Sequence, residues 1–179
     1  MASDELGLFS YEVLALVGRG GASAHDLRRL AQEVRMVAWA GESQYYVEPK
    51  RLARLGYLDA RKAPGRTRER TVYSLTGKGL AALVEYARTP VSFTPVKSDA
   101  LLRLLICDLV GEDVTRKSLA TLRDDIADLR ERLDESERSA SENPHRAKYL
   151  LLVAAHLRRL LDLHEQFVDE VETATRAAR

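Results

Sequence analysis

Apolar residues recur at helical spacing in two short groups near the N-terminus, and glycines separate the groups. A wide apolar face over residues 13–17 predicts a first helix that opens at Ser10. Ser23, with Asp26 three positions later, is typical of a capping box, in which each side chain bonds the backbone amide of the other residue. A second helix is therefore predicted from residue 24 to about residue 34.

A third helix is predicted over residues 42–55, and its two sides differ in chemistry. The side expected to be buried carries Tyr45, Pro49, Leu52 and Leu55. The opposite side carries an amide, a phenol, a valine and three cations: Gln44, Tyr46, Val47, Lys50, Arg51 and Arg54. Pro49 removes a backbone hydrogen bond, so either the helix bends there or its regular part begins near Glu48.

Two strand-like runs, residues 58–62 and 70–75, follow this helix and predict a β-hairpin. The second run is rich in β-branched and aromatic residues, and the loop between the runs contains Arg66 and Arg68. A basic helix followed by a basic hairpin is the plan of a winged helix-turn-helix. In that plan the helix enters the major groove of DNA and the hairpin, or wing, lies beside it.

A fourth helix, residues 77 to about 87, is predicted to begin at a cap formed by Thr76. Its inward side is expected to carry Leu80, Leu83, Val84 and Ala87. Two prolines in residues 88–95 prevent the helix from continuing. The chain is therefore expected to comprise a winged-helix domain (residues 6–88), a linker (89–97) and a helical domain (98–179).

The second half of the chain consists of longer apolar repeats. Ser98 is expected to cap a helix over residues 99–110, which is predicted to be mostly buried because apolar residues cover most of its circumference. Two further helices carry mainly apolar residues at alternating steps of three and four, as in a coiled coil, with His164 as a polar residue within the second repeat. Their repeats are Leu119, Leu122, Ile126, Leu129 and Leu133, and Leu150, Val153, Leu157, Leu160, His164, Phe167 and Val171.

The last helix has more apolar residues than one antiparallel partner can cover, and a second copy of the chain is the simplest partner for the surplus. The residues expected to form this dimer contact are Leu157, Leu160, Leu161, Phe167 and Val168. The predicted fold is mainly α: an N-terminal winged helix-turn-helix, with three to four helices and a two-stranded wing, and a C-terminal antiparallel helical dimerisation domain.

Positive charge is concentrated in the third helix and the wing. From Lys50 to Arg70 there are eight Lys or Arg and two acids, a local charge of +6, whereas the whole chain carries only +1. Residues 1–97 carry 15 Lys or Arg and 10 Asp or Glu, and residues 98–179 carry 13 and 17. This asymmetry favours a polyanionic partner for the first half and another task for the second.

Composition weighs against several other classes of protein. The single cysteine, Cys107, excludes an intrachain disulfide and any CxxC metal pattern, and it lies in an apolar run typical of a buried residue. The four histidines are scattered, and the chain has no catalytic triad, HExxH motif or glycine-rich phosphate loop. We therefore expect no enzyme activity, no metal and no cofactor. The chain also has no apolar run of membrane-spanning length and no signal-peptide pattern, so a cytoplasmic location is expected.

Three segments together resemble the PadR family of bacterial transcriptional regulators. Residues 8–16, Leu-Phe-Ser-Tyr-Glu-Val-Leu-Ala-Leu, are similar to the opening of the family. Tyr46 followed by the segment from Lys50 to Leu58 resembles the family's Tyr…Arg-Leu-Glu-x-x-Gly-Leu stretch, and residues 73–79 match its Tyr-x-Leu-Thr-x-x-Gly motif. Each piece alone also occurs in other winged helices, such as MarR-type regulators. The chain departs from the family at His25, where Tyr is frequent, and at Pro49, where an apolar residue is common.

The resemblance implies a homodimer that binds a palindromic operator, usually represses, and releases DNA when a small aromatic effector binds. The residues expected to contact double-stranded DNA are Gln44, Tyr46, Lys50, Arg51, Arg54, Arg66 and Arg68. Tyr11 and Trp39 are expected to line an effector cavity between the two domains. The alternative is a winged-helix module that binds another protein and has no sequence-specific affinity for DNA.

Overall fold

A computed structural model describes residues 5–33, 40–64, 69–94, 96–140 and 144–176. The chain divides into two compact units between Ser92 and Phe93. The described part of the first unit contains four helices and three strands. They are α1 (Leu8–Val17), β1 (Ala22–Ser23), α2 (Ala24–Glu33), α3 (Gln44–Arg54), β2 (Leu58–Ala63), β3 (Arg70–Leu75) and α4 (Gly77–Arg88).

The strands form one antiparallel sheet in the order β1-β3-β2. In the hairpin Leu58 faces Leu75, and on the other side of β3 Ala22 faces Tyr73. The prediction of a two-stranded wing missed β1, because a strand of two residues is too short to show an alternating pattern. Gly21 precedes β1 with φ +73°, and a Cβ there would lie 2.9 Å from the Tyr73 carbonyl oxygen, so glycine suits this close approach.

The helices of the first unit enclose a single core beneath the sheet. Leu14, Leu27 and Leu52 are fully buried and come from α1, α2 and α3 in turn, and Tyr73 of the sheet joins them. The capping box predicted before α2 is confirmed: the Ser23 backbone N–H donates to Asp26 at 2.9 Å, and the Asp26 N–H donates to Ser23 Oγ at 3.3 Å. The first helix begins at Leu8, two residues before the predicted start.

Helix α3 runs through Pro49 without interruption, so the prediction that its regular part begins near Glu48 is wrong. Pro49 is fully buried on the core side of the helix. A proline has no N–H, and the carbonyl of Tyr45, four residues earlier, therefore lacks its usual helical partner. The helix is held in place by contacts that its side chains make with α1.

Helix α4 is capped by Thr76 as predicted, because the Gly79 backbone N–H donates to Thr76 Oγ1 at 3.1 Å. Its predicted inward side is largely wrong: Leu80, Val84 and Ala87 are exposed. The contact side instead passes through Gly79, Leu83 and Tyr86. Gly79 lies so close to the Tyr57 carbonyl that it determines which side of α4 meets the rest of the unit.

Residues 90–94 belong to no helix or strand. In this segment Val91 is 99% exposed and Phe93 is 88% exposed. The prolines that were expected to end the fourth helix are Pro90, which lies in this segment, and Pro95, which lies outside the described residues.

The second unit contains five helices in its described part: α5 (Asp99–Leu105), α6 (Cys107–Val110), α7 (Glu112–Ala120), α8 (Leu122–Ala140) and α9 (Pro144–Arg176). Ser98 caps α5 as predicted. Each of the first two helices predicted here is broken once, at Ile106 and at Thr121. No described helix is both long and apolar enough to cross a membrane.

Helices α8 and α9 are antiparallel and share a buried seam. Ile126 and Leu133 from α8, with Leu119 from α7, are buried together with an apolar face of α9. The prediction that α5 and α6 are mostly buried is wrong, since neither contains a buried residue. Leu105 is 78% exposed and Leu109 is 80% exposed. The second unit therefore keeps a large apolar surface that its own helices leave uncovered.

Candidate nucleic-acid interface

The outer face of α3 presents the side chains expected to contact DNA. Tyr45 and Leu52 anchor the opposite face in the core, and this burial turns Gln44, Tyr46, Val47, Lys50 and Arg54 outward into solvent. An amide and a guanidinium can bond base edges, while a phenol and an ammonium can hold phosphates. Val47, which is 58% exposed, adds an apolar group of the kind that meets thymine methyl groups.

Arg51 does not belong to this exposed face, and that part of the prediction is wrong. Its guanidinium pairs side-on with Glu48, with Nε 2.9 Å from Oε2 and Nη2 2.8 Å from Oε1. Nη2 also donates to Ser10 Oγ at 3.0 Å, and the Arg51 side chain is only 17% exposed. Burial tends to raise the pKa of the Glu48 carboxyl, but the hydrogen bonds from Arg51 and Ser10 and the charge of Arg51 lower it overall.

A second polar contact joins α3 to α1 near the N-terminus of α3. The Tyr45 hydroxyl donates to Glu12 Oε1 at 2.8 Å, and the Tyr45 ring meets Phe9 edge to face with centroids 5.0 Å apart. Burial raises the pKa of the Tyr45 phenol, and the bond to the Glu12 carboxylate adds to the effect. The phenol therefore stays protonated and keeps donating at physiological pH.

The Tyr-x-Leu-Thr-x-x-Gly segment joins the C-terminal end of α3 to the wing and to α4. Thr76 Oγ1 bonds the carbonyls of Gly56 at 2.8 Å and Tyr57 at 3.0 Å. Lys78 Nζ donates to the Leu55 carbonyl at 2.7 Å and lies 4.3 Å from the centroid of the Tyr57 ring. A cation at the end of a helix satisfies a carbonyl that has no partner within the helix. Lys78 was missed in the sequence, where it sits at a variable position of the motif.

Ion pairing reduces the free positive charge of the wing. Lys62 Nζ lies 3.4 Å from Glu69 Oε2, and Arg70 Nη1 lies 3.5 Å from Asp26 Oδ2. Within the described residues, Lys50, Arg54 and Arg61 have no ion-pair partner. Arg61 is an exposed cation of β2 that was left out of the predicted DNA contacts. The predicted wing contacts Arg66 and Arg68 lie outside the described residues.

Of the two residues expected to bind an effector, Tyr11 lies within the described residues. Tyr11 stacks on Tyr86 of α4, with ring centroids 4.2 Å apart and planes 14° from parallel. Trp39 lies outside the described residues. The tyrosine stack is an aromatic contact within the first unit, and sequence spacing could not reveal it because the two positions are far apart in the chain.

The five residues expected at a dimer contact fall into two groups. Leu157, Leu161 and Val168 are buried inside the second unit, so the prediction that they form a surplus face is wrong. Leu160 and Phe167 instead line an apolar cavity of about 330 Å³, together with Leu163 and with Leu101 of α5. The exposed apolar stripe of α9 continues from this cavity through Val153, Leu152 and Tyr149. Among the described residues, no group of three or more His, Cys, Asp or Glu could hold a metal ion.

Comparison with solved structures shows a close likeness over nearly the whole chain. The crystal structure of Bacillus subtilis PadR in complex with operator DNA aligns with a TM-score of 0.68, covering 96% of this chain and 99% of that one, at 19% identity. The chain has the PadR fold. The resemblance noted in the sequence is thereby confirmed at the level of the fold, and so is the mainly helical class with a small sheet.

Two further structures extend the comparison. The structure of the Vibrio cholerae virulence activator AphA aligns with a TM-score of 0.71 at 21% identity, covering 96% of this chain and 99% of that one. Bacillus subtilis PadR in complex with p-coumaric acid aligns with a TM-score of 0.61 at 19% identity, covering 96% and 98%. The expectation of a protein that is not an enzyme agrees with these neighbours, which are regulators of the PadR type and a virulence activator.

No protein-family model matches the sequence, and no curated protein sequence matches it.

Proposed function

We propose that this protein is a DNA-binding transcriptional regulator of the PadR type. The observation that carries the proposal is the outer face of α3, where Gln44, Tyr46, Lys50 and Arg54 are exposed on a helix whose other side is locked into the core. The likeness to a PadR structure that holds operator DNA supports the same assignment.

In this proposal Gln44 and Arg54 contact base edges, while Tyr46 and Lys50 hold phosphates. Val47 meets a thymine methyl group, and Arg61 joins Arg66 and Arg68 of the wing at the backbone or minor groove. Arg51 supports the helix from beneath and makes no direct contact with DNA.

The proposal is tested by selecting duplexes from a randomised DNA pool with the full-length protein. The affinity of the selected duplexes is then measured by gel shift at two salt concentrations. We expect the logarithm of the affinity to fall by about 0.9 per phosphate contact for each tenfold rise in salt. A protein-binding module would enrich no sequence from the pool, and that result would refute the proposal.

We propose further that the protein acts as a homodimer on a palindromic operator. One winged helix contacts too few base pairs to distinguish an operator from other DNA. Binding to two half-sites increases the number of base pairs contacted and therefore the selectivity. The uncovered apolar surface of α5, α6 and α9 is of the kind that marks a protein interface, and a second copy is its simplest partner. The contact residues proposed on α9 are Leu163 and Val153, which are exposed, together with Leu160 and Phe167, which line the apolar cavity.

The proposed regulation is repression in the cytoplasm, relieved by a small aromatic effector. Bacillus subtilis PadR has been solved with p-coumaric acid, which supports an aromatic acid as the class to test first. Tyr11 and Trp39 remain the proposed effector contacts. To test relief by an effector, the protein is titrated with phenolic acids while its tryptophan fluorescence and its affinity for DNA are measured. If neither signal changes with any compound, relief by this class of effector is refuted.

A further inference from the structure

Three side chains beneath the outer face of α3 form a connected polar group, which we call the Ser10–Glu48–Arg51 cluster. Ser10 Oγ donates to Glu48 Oε1 at 2.7 Å, and it accepts from Arg51 Nη2 at 3.0 Å and from the Gly7 backbone N–H at 3.3 Å. These three bonds use the whole bonding capacity of a hydroxyl. The hydroxyl is therefore fully bonded, and it links α1 to α3 directly.

The cluster is buried where α3 is weakened by its proline. Ser10 is 4% exposed and Glu48 is 8% exposed. Pro49, the neighbour of Glu48, leaves one helical hydrogen bond of α3 unmade. Glu48 and Arg51 stand on either side of Pro49, and Tyr45, whose carbonyl loses its partner, is itself bonded to α1 through Glu12. Side-chain contacts with α1 thus brace α3 where its backbone ladder is incomplete.

Stability alone is a weak reason for such a cluster. Removing two charges from water costs free energy, and apolar residues of similar size often stabilise a protein equally well. What the ion pair adds is a fixed orientation of the two side chains. A side-on pair between the guanidinium and the carboxylate fixes the plane and position of both groups, and the Ser10 hydroxyl fixes that plane relative to α1.

The cluster also controls a charge next to the outer face of α3. Arg51 is the neighbour in sequence of Lys50, which is exposed and available for DNA. Since the guanidinium of Arg51 is held by Glu48, it cannot reach a phosphate without breaking two charge-assisted bonds. An unrestrained cation here would add affinity for any duplex, because phosphate contacts carry no sequence information.

We propose that Glu48 and Arg51 are positioning residues that orient α3 for sequence-specific contact, and that Glu48 withholds the Arg51 guanidinium from non-specific contact with phosphate. This inference rests on the proposed function. It predicts that loss of the Glu48 charge lowers discrimination between DNA sequences while raising affinity for DNA in general.

The test compares full-length wild type and Glu48→Gln on two duplexes of equal length. One duplex is enriched from a randomised pool by the wild-type protein, and the other has the same base composition in shuffled order. For Glu48→Gln we expect the ratio of the two affinities to fall by about tenfold, the scale of one good base contact. Affinity for the shuffled duplex should rise, and its log–log salt slope should steepen by about one unit as Arg51 gains a phosphate.

Two further variants separate positioning from charge. In the double variant Glu48→Gln, Arg51→Gln, the ratio of affinities for the selected and shuffled duplexes should fall as in Glu48→Gln. The salt slope should not steepen, because the released cation is then absent. Glu85→Gln is the matched control. Glu85 is an exposed glutamate of α4 that pairs only within its own helix in the described structure, with Arg88, and both the ratio and the slope should stay at wild-type values.

If Glu48→Gln does not fold, the paired replacement Glu48→Met with Arg51→Met removes both charges at similar volume and supplies the test. A folded variant of either kind that keeps the wild-type affinity ratio overturns the positioning role. A Glu48→Gln variant whose salt slope is unchanged overturns the withholding of Arg51. A wild-type protein that enriches no duplex refutes the proposed function itself, so the two failures are distinguishable.

Discussion

At Gly79 the chain has no room for a side chain. A Cβ there would lie 2.3 Å from the Tyr57 carbonyl oxygen and 2.8 Å from a Leu75 methyl carbon. The first of these neighbours is backbone that is already engaged, since the Tyr57 carbonyl accepts from Thr76. An added methyl group must therefore displace the end of the wing or the start of α4, and both adjoin the C-terminal end of α3.

We expect Gly79→Ala to lower the free energy of unfolding by at least about 2 kcal/mol, as overpacking of a buried site does. Gly77→Ala is the matched control, because a Cβ at Gly77 meets nothing within 4 Å. Alanine there should be neutral or stabilising by about 0.5–1 kcal/mol. Urea denaturation of both variants measures the difference. Equal stability of the two variants would contradict the close approach at Gly79.

The Glu48 carboxyl gives the protein a pH dependence of known sign. Its pKa in the folded protein lies below the ordinary value of 4.5, so the ionised form favours folding. The stability it contributes is complete above the unfolded pKa and is lost as the pH falls through the folded pKa. We expect the stability difference between wild type and Glu48→Gln to be largest near neutral pH and to shrink below about pH 4.5. A difference that grows towards acid would reverse the sign and refute this account.

Residues whose partners are near in sequence could be predicted, and residues whose partners are far away could not. Ser23, Thr76 and Ser98 were all recognised as caps because their bonding partners lie three positions on. Arg51 was misplaced because its position depends on a buried network: Glu48 lies three positions earlier, but the Ser10 hydroxyl that bonds both residues lies forty-one positions before Arg51. At helical spacing Arg51 stands at the border of the exposed face, and the pair with Glu48 together with the bond to Ser10 of α1 holds it inward.

At the level of elements, α8 and α9 are joined by a ladder of arginines that we call the charge ladder. Each arginine bridges two carboxylates three residues apart on the facing helix. Arg123 meets Asp169 and Glu172, Arg130 meets Asp162 and Glu165, and Arg158 meets Asp134 and Glu137. The rungs are spaced about one heptad apart, so the ladder matches the antiparallel register of the buried seam.

We expect the triple variant Arg123→Gln, Arg130→Gln, Arg158→Gln to lose about 1–3 kcal/mol of unfolding free energy, using values for surface pairs because each arginine is about one-third exposed. Added salt should lower the free energy of unfolding of the wild type more than that of the variant, because salt screens the ion pairs of the charge ladder. Arg132→Gln is the control, because Arg132 pairs with Asp128 within α8. Equal salt sensitivity of wild type and triple variant would count against the ladder.

Periodicity predicted the pairing of α8 and α9, but it assigned residues that are buried within the second unit to the expected dimer contact. The helix carries two apolar stripes, one through Leu157, Leu161 and Val168 and one through Val153, Leu163 and Phe167. Both are spaced for a helical contact, and the sequence contains no signal that says which stripe meets α8. The same limit explains the error over α5, where an apolar circumference predicts burial but does not name the partner that buries it.

At the scale of the whole molecule, substitutions at two leucines of α9 can test the proposed dimer and the folding of the second unit separately. Leu163 is 59% exposed and Leu161 is 3% exposed. We expect Leu163→Asp to convert a dimer into a folded monomer, because the charge enters only the proposed interface. Leu161→Asp should instead unfold the second unit, since it buries an unpaired charge in the seam.

Size-exclusion chromatography with light scattering, together with circular dichroism, distinguishes these outcomes. A wild-type protein that is monomeric at micromolar concentration would refute the dimer. A Leu163→Asp variant that remains dimeric would place the interface elsewhere on the exposed apolar surface of α5 and α6.

We expect a protease to cut the chain in the exposed segment at residues 90–94. Chymotrypsin cleaves after large apolar residues in extended backbone, and Phe93 is 88% exposed in a stretch that forms no helix or strand. The exposed leucines and the exposed tyrosine of the second unit lie within helices, which resist cleavage until they unfold. Brief digestion should thus release two folded fragments, each with its own core. If the second unit forms the proposed dimer, the N-terminal fragment should be monomeric and should bind an operator far more weakly than the intact chain.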